Sequence, residues 1–352
     1  MAYTTIKKPS DYFNTKIYTG NGVGGTNITG VGFQPDLVWI KRRSGVENHV
    51  WNDAVRGVPN NIYSSSTNAE DSGSLMSAIL SDGFTVQTDP SVNSNTDTYV
   101  AWNWLGANGT ASNTDGSITS TVSANTTSGF SIVSYTGNGT GGATVGHGLG
   151  SAPKMIIIKN RSQSNGWITG HEKLDATNPW HKYVELHSIN EVGDLTTIWN
   201  DTAPTSSVFT VGTEVAVNNS GNNYIAYCFA EKKGFSKFGS YTGNGNADGT
   251  FVYTGFKPAM VIVKNITTAT SWQLVDNKRS DAGGYNIIDK VLAPNGSDAE
   301  YDTGTSDWIV DFVSNGFKLR GNYAAWNTSG NTYIYMAFAE EPLVGDNPAT
   351  AR

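Results

Sequence analysis

The chain has 352 residues, a formal charge of −7 at pH 7 and only 15% charged residues. Its longest basic cluster is Lys41-Arg42-Arg43, which argues against a nucleic-acid partner, because neutralising phosphates needs a basic surface. No apolar stretch approaches the roughly 20 residues of a membrane helix, and a lone cysteine, Cys228, excludes an intrachain disulfide framework. Met1 to Ser10 lacks the apolar core of a signal peptide, so the expected starting compartment is a cytoplasm. Forty glycines, abundant Asn, Ser and Thr, and 11% aromatics give an all-β composition.

Residues 1–17 read as an N-terminal arm, an extended docking or linking piece that meets the first strand near Lys16. There the pentapeptide Tyr-Thr-Gly-Asn-Gly begins, at Tyr18 to Gly22, and it recurs unchanged at Tyr135 to Gly139 and Tyr241 to Gly245. Starts 117 and 106 residues apart (135 − 18 and 241 − 135) are too far for a solenoid repeat but suit small domains of about 100 residues. The expectation is therefore three tandem modules, 18–106, 129–231 and 232–341, with a flexible linker at 107–128 and a C-terminal tail at 342–352. Gly-Asn-Gly suits a tight turn, since Gly and Asn tolerate positive φ.

Beyond each pentapeptide comes a run hydrophobic at consecutive positions: Leu37 to Ile40, Met155 to Ile158 and Met260 to Val263, each with a proline (Pro35, Pro153, Pro258) just ahead. Both faces of such a strand must be covered, so two stacked layers are implied. Leu75 to Leu80 offers a turn or so of helix. Alternating strands follow at Asp82 to Val86, Ser207 to Val211 and Asn315 to Leu319, and a turn with a closing hydrophobic strand at Asp97 to Trp102, Asn223 to Glu231 and Thr332 to Glu340. Seven to ten short strands per module fit a sandwich or jelly roll.

Candidate chemistry is sparse. Asp53 and Arg56, like Asp276 and Arg279, stand three apart and read as pairs bracing a turn at the surface, contributing about 0 to 1 kcal/mol. Four of five histidines (His147, His171, His181, His187) lie in the second module, but their spacing matches no zinc pattern. Cys228 sits in a core-like strand as an inert thiol. A paired-carboxylate glycosidase site is not excluded by sequence, though the acids are not shared by all three modules. No catalytic residue, metal ligand or cofactor is assigned. Aromatics in strands (Trp39, Trp102, Tyr224, Tyr333) are expected in the core. Those in irregular segments (Trp51, Trp167, Trp180, Trp199, Trp272, Trp308 and Trp326) could stack on a sugar ring or fill an interface, and Trp51, Trp167, Trp180, Trp272 and Trp308 are singled out as candidates.

The lead-in Lys8 to Thr15, the stretch Gly32 to Lys41, the segment Ser128 to Lys159 and the stretch Phe235 to Ser240 resemble tandem modules in structural proteins of tailed bacteriophages, especially marine and cyanobacterial phages. The likeness covers nearly the whole chain. It implies a lectin-like β-sandwich on a virion and transfers no catalytic residue. The expected role is a non-enzymatic tail fibre, baseplate or receptor-binding component, localised to a virion assembled in the host cytoplasm. Its expected partners are other virion proteins and a host-surface glycan, with homo-oligomeric assembly by analogy with phage fibres. The alternatives are a capsid-surface decoration protein and a polysaccharide-degrading tail spike.

Overall fold

A computed structural model describes residues 4–280, 286–304, 308–345 and 348–349. Residues 1–3 of the arm and 346–347 and 350–352 of the tail lie outside them. The protein is mostly β, built from antiparallel sheets packed face to face.

Three large sheets dominate and share one spatial order. In the first, strands Phe13–Thr19, Thr98–Trp104, Leu37–Arg42, Val50–Asp53 and Ile62–Tyr63 lie side by side. The second repeats that order with Phe130–Thr136, Asn223–Phe229, Met155–Asn160, Trp167–His171 and Lys182–Glu185, and the third with Ser236–Thr242, Thr332–Pro342, Phe256–Asn265 and Gln273–Asp276. Each large sheet faces a smaller antiparallel sheet: Thr26–Thr29 with Gly83–Val86 and Met76–Leu80, Ala143–Gly146 with Val208–Val211, and Phe251–Tyr253 with Gly316–Leu319 and Val310–Val313.

The consecutive hydrophobic runs are explained by two different cores. Val38 and Ile40 pack under the first small sheet, Ile156 and Ile158 under the second, and Val261 and Val263 under the third. Their alternate neighbours Leu37, Trp39, Met155, Ile157, Met260 and Ile262 point the other way, into one cluster to which all three large sheets contribute. Trp102, Tyr227 and Met336 join it from the closing strands. Successive side chains of a strand leave on opposite faces, so a sheet buried on both sides reads as unbroken apolar sequence.

The arm contributes to that shared cluster. Ile6 and Phe13 are buried in it, and Phe13 packs on Trp104 and Phe338 with centroids 4.9 and 5.0 Å away. The stretch 107–128, expected as a flexible linker, is instead paired: Ala111–Asn113 and Ser120–Asn125 extend the second large sheet. Its polar residues find fixed acceptors, Ser123 Oγ donating to Asp36 Oδ1 at 2.9 Å and Ser120 Oγ to Gly146 O at 2.7 Å, while Ile118 and Val122 supply the buried face. The turn of helix expected within 75–80 is also absent; Met76–Leu80 is a strand. Helical turns occur instead at Pro90–Asn93, Val215–Asn218 and Ala324–Asn327, four residues each and too short to show a helical period.

Those turns are what the pentapeptides grip. Tyr18, Tyr135 and Tyr241 donate their hydroxyls to Val92 O, Val217 O and Trp326 O at 2.7–2.8 Å. The Asn21, Asn138 and Asn244 amides donate to the side-chain oxygens of Asn93, Asn218 and Asn327 at 2.9 Å. Each pentapeptide Tyr also stacks on the Tyr of the closing strand, Tyr99, Tyr224 or Tyr333, at 4.9–5.1 Å. The first glycine has no room for a side chain: a Cβ at Gly20, Gly137 or Gly243 would lie 2.2, 2.4 or 2.3 Å from the Ser94, Asn219 or Thr328 carbonyl oxygen. Gly137→Ala should therefore lower the unfolding free energy by about 2 kcal/mol and shift the urea midpoint down accordingly, while Gly109→Ala, whose Cβ meets nothing within 4 Å, should be near neutral. Equal midpoints in urea melts would disprove the clamp.

Candidate functional site

Four of the five tryptophans singled out above do not reach the surface. Trp51, Trp167, Trp180 and Trp272 are buried, so they cannot offer a ring face to an external sugar. Trp308 is half-exposed. Trp180 packs edge-on against Trp199 under the second small sheet, and Trp51 lies in the shared core between Trp39, Trp167 and Tyr227.

Strand register shows what Trp167 and Trp272 do. Lys159 is paired with Trp167, and the register of the neighbouring sheets puts Lys264 opposite Trp272 and Lys41 opposite His49. Each aromatic reaches into the next repeat: Trp167 Nε1 donates to Tyr63 O at 2.9 Å and Trp272 Nε1 to Glu185 O at 2.9 Å. His49 accepts from Trp39 Nε1 at 2.9 Å and turns its other nitrogen toward the Ala293 carbonyl without closing a normal bond. The lysines make the same circuit. Lys159 Nζ donates to Asn165 O in its own loop and Thr67 O in the first repeat, Lys264 Nζ to Thr270 O and to Ile189 O in the second, and Lys41 Nζ to Gly45 O and to Ser297 O in the third. Burial lowers each lysine pKa to about 8, while the carbonyls around each ammonium favour its charged form. Second grips first, third grips second and first grips third, so the ring is closed.

Behind each lysine lies a four-residue cluster that differs from seam to seam. Where the second repeat meets the first, Asp53, Arg56, Glu70 and Arg161 form a chain: Arg56 bonds Asp53 and Glu70, and Arg161 bonds Glu70 at 2.7 and 2.9 Å. Tyr227 donates its hydroxyl to Asp53 at 2.7 Å. Where the first meets the third, Asp276, Arg279, Glu300 and Arg43 repeat the chain, and Trp102 Nε1 donates to Asp276 at 2.9 Å. Asp53, Arg56, Asp276 and Arg279 are wholly buried, which corrects the surface placement expected of these pairs. Burial opposes the charge of Arg56, but Asp53, Tyr227 and Glu70 outweigh it and raise its pKa above the usual range. The partners Glu70 and Glu300 were missed in the sequence. The Lys-x-Arg of residues 41–43 and 159–161, set against Lys264-Asn265-Ile266, was the available signal.

At the remaining seam the register places His171 where Asp53 and Asp276 stand, opposite Met155 as they are opposite Leu37 and Met260. Leu174 takes the arginine position three residues on, Ile266 replaces Arg161 and Arg43, and Val192 replaces the glutamate, its amide donating to Ile266 O as Glu70 and Glu300 donate to Arg161 O and Arg43 O. Met336 replaces Tyr227 and Trp102. The ionic cluster has been replaced as a unit by one histidine and three apolar side chains. Over Leu174, Val192 and Ile266 opens a cleft of about 670 Å³ with Lys173, Asp175 and Glu191 on its rim, and it is the candidate site for a partner to dock.

The other histidines of the second repeat are tied locally. His147 Nδ1 accepts from Leu149 N, His187 Nδ1 from Trp167 N, and His181 lies between Asp194 and Asp201 at 3.0 and 3.2 Å. Among the described residues no three His, Cys, Asp or Glu side chains converge to hold a metal ion. Cys228 is buried, and burial pushes its thiol pKa up. No described helix is long and apolar enough to cross a membrane.

Residues 8–342 match the model of a domain of unknown function, DUF7483. The chain belongs to that family. No curated protein and no solved structure matches it. The DUF7483 match begins at the 3₁₀ turn Pro9–Asp11 and ends with the last strand, so it takes in all three seams at once.

Two outcomes follow for the DUF7483 seams. Arg56→Leu alone should cost about 3–5 kcal/mol by stranding Asp53 and Glu70, whereas the fourfold change Asp53→His, Arg56→Leu, Glu70→Val, Arg161→Ile should cost far less, being the solution already in place at the third seam. Chemical denaturation decides, and equal losses would refute the equivalence. Burial lowers the His171 pKa to about 3, its Nε2 facing Tyr335 O at 3.2 Å and Lys173 adding like charge. Below the unfolded value of about 6.5 the unfolded chain binds a proton that the folded one refuses, so this part of the stability is full above pH 6.5 and is lost as pH falls toward 3. His171→Gln should recover roughly 2–3 kcal/mol of the loss between pH 7 and 4.5. Parallel loss in both proteins would count against it.

Proposed function

We propose that the chain is a non-enzymatic structural protein of a tailed-phage virion, part of a tail fibre, baseplate or other attachment device, set against other virion proteins and turned toward the host surface. One observation carries the reading: the polar residues that recur from repeat to repeat are engaged in holding backbone. The pentapeptide Tyr and Asn clamp helical turns, and the buried lysines and the Trp167 and Trp272 indoles cross the seams to carbonyls. Recurring residues with that use describe a rigid building block. Catalytic machinery would leave groups aimed at open space. The likeness of the motifs to tandem modules of phage structural proteins supports the virion location.

Purified particles of the phage that encodes the chain provide the test. Mass spectrometry should find the chain at structural copy number, and cryo-electron microscopy should place the three-sheet ring on the tail or capsid surface. A chain confined to the infected-cell lysate ends the proposal. Steady release of reducing ends from host polysaccharide by the purified protein would replace it with the spike reading.

A further inference from the structure

Trp308 has no part in the ring. Of the ten tryptophans nine are buried, and this one alone is half-exposed. Its ring stacks on Tyr323 with centroids 3.7 Å apart and planes 15° apart, and Tyr301, 42% exposed, stands 6.0 Å away. The three rings line a cavity of about 230 Å³ whose wall continues through Gln273, Asn295 and Asp298. A cavity of that size, open on one side, admits a ligand of the dimensions of a six-membered sugar ring.

The polar wall is set in place. Asp298 Oδ2 accepts the Tyr301 hydroxyl at 2.9 Å, which orients that ring and leaves Oδ1 for another donor. Gln273, 3% exposed, donates through Nε2 to Ser271 O at 3.1 Å, keeping its amide oxygen as an acceptor at the cavity wall. Asn295 is pinned at both ends, accepting from Trp272 N at 2.8 Å and donating to Ser271 Oγ at 3.3 Å.

Comparison with the other repeats isolates the feature. Tyr323 precedes the helical turn Ala324–Asn327 at the position where Asp89 precedes Pro90–Asn93 and Glu214 precedes Val215–Asn218. Asp89 caps its turn by accepting from Ser91 N, whereas neither Glu214 nor Tyr323 makes a side-chain cap. Tyr301 follows Glu300 as Asp71 follows Glu70. Tyr323 thus stands where Asp89 and Glu214 stand, and Tyr301 where Asp71 and Gly193 stand, so both positions are aromatic in the third repeat alone.

We infer that this cavity binds one uncharged hexopyranose unit of a surface polysaccharide, its apolar ring face against Trp308 and Tyr301 and its hydroxyls donating to Asp298 Oδ1 and the Gln273 amide oxygen. Aromatic faces favour the C–H side of a sugar ring, and carboxylate acceptors make stronger hydrogen bonds with hydroxyls than neutral ones do. A lining that holds a carboxylate and no Lys or Arg disfavours anionic sugars. The inference rests on the attachment reading only for the source of the sugar; binding itself stands or falls without it.

The probes are the methyl glycosides of glucose, galactose, mannose and N-acetylglucosamine, titrated into the full chain. Iodide quenching of tryptophan fluorescence reports on Trp308, and saturation-transfer NMR reports on the sugar. At least one glycoside should protect Trp308 saturably with a Kd of order 1–10 mM, and Asp298→Asn or Tyr301→Ala should weaken it by about tenfold. Trp308→Ala should abolish the NMR signal while far-UV and near-UV circular dichroism stay native in shape. Absence of protection by every glycoside at about 100 mM, where a Kd of order 10 mM would nearly saturate, overturns the inference. So does NMR transfer that persists in Trp308→Ala. Particle microscopy tests the virion location separately, so the failure of one leaves the other standing.

Discussion

Three sheets, each already covered on one face by a smaller sheet, must hide their second faces from water, and they do so against one another. The resulting shared cluster draws Leu37, Trp39, Met155, Ile157, Met260 and Ile262 to one place from positions more than 200 residues apart in the chain. Everything polar at the seams follows from that packing. A backbone carbonyl or an ammonium group removed from water must find a partner or carry a large penalty. Here partners lie across the seam: Lys159 and Lys264 each take one carbonyl from their own loop and one from the adjoining repeat, and Lys41 takes two from its own loop and one from the adjoining repeat. A contact that satisfies both sides at once ties the repeats into a single cooperative body.

Within this ring the seams are not equal. Two carry the buried Asp–Arg–Glu–Arg chain and a third carries His171, Leu174, Val192 and Ile266 in its place. Partial replacement would strand a charge in the interior, which accounts for all four positions having changed together. The apolar version has shorter side chains than the arginines it replaces, and space is left above it as the cleft bounded by Lys173, Asp175 and Glu191. Departure from symmetry thus has a direct physical product: a cleft of about 670 Å³ lies at the seam without the ionic chain. A similar logic separates the Tyr301–Trp308–Tyr323 cavity from its counterparts, where Asp71 and Gly193, and Asp89 and Glu214, stand in place of the two tyrosines.

Repetition and variation accordingly divide the work. Residues held constant across the three repeats, such as the pentapeptide Tyr and Gly or the strand lysine, answer to backbone geometry and burial. Residues that change between repeats shape the concavities. A surface function is best sought among the second group.

Much of the architecture was legible in the amino-acid sequence. The unbroken apolar runs required cover on both faces, and the composition required β structure; both demands are local, since they depend on side-chain alternation along one strand. The Asp53–Arg56 and Asp276–Arg279 spacings announced pairs that brace turns, and they do. Their depth was not legible, because burial is set by what packs above a residue, and Glu70, Arg161, Glu300 and Arg43 arrive from other strands. The linker at 107–128 looked flexible for the same reason: small polar residues form a strand only when a neighbouring edge offers Gly146 O and Asp36 as partners. Four candidate tryptophans are likewise interior, since an aromatic beside a loop is exposed or buried according to whether another repeat closes over it. By itself, then, the sequence determined the strands, their repeat and the two-faced burial of the central runs, all consequences of short-range periodicity. Only the tertiary structure decided that the three sheets close on one shared core, which charges are sealed between them and which single tryptophan, Trp308, meets solvent, because those outcomes depend on contacts between residues far apart in the chain.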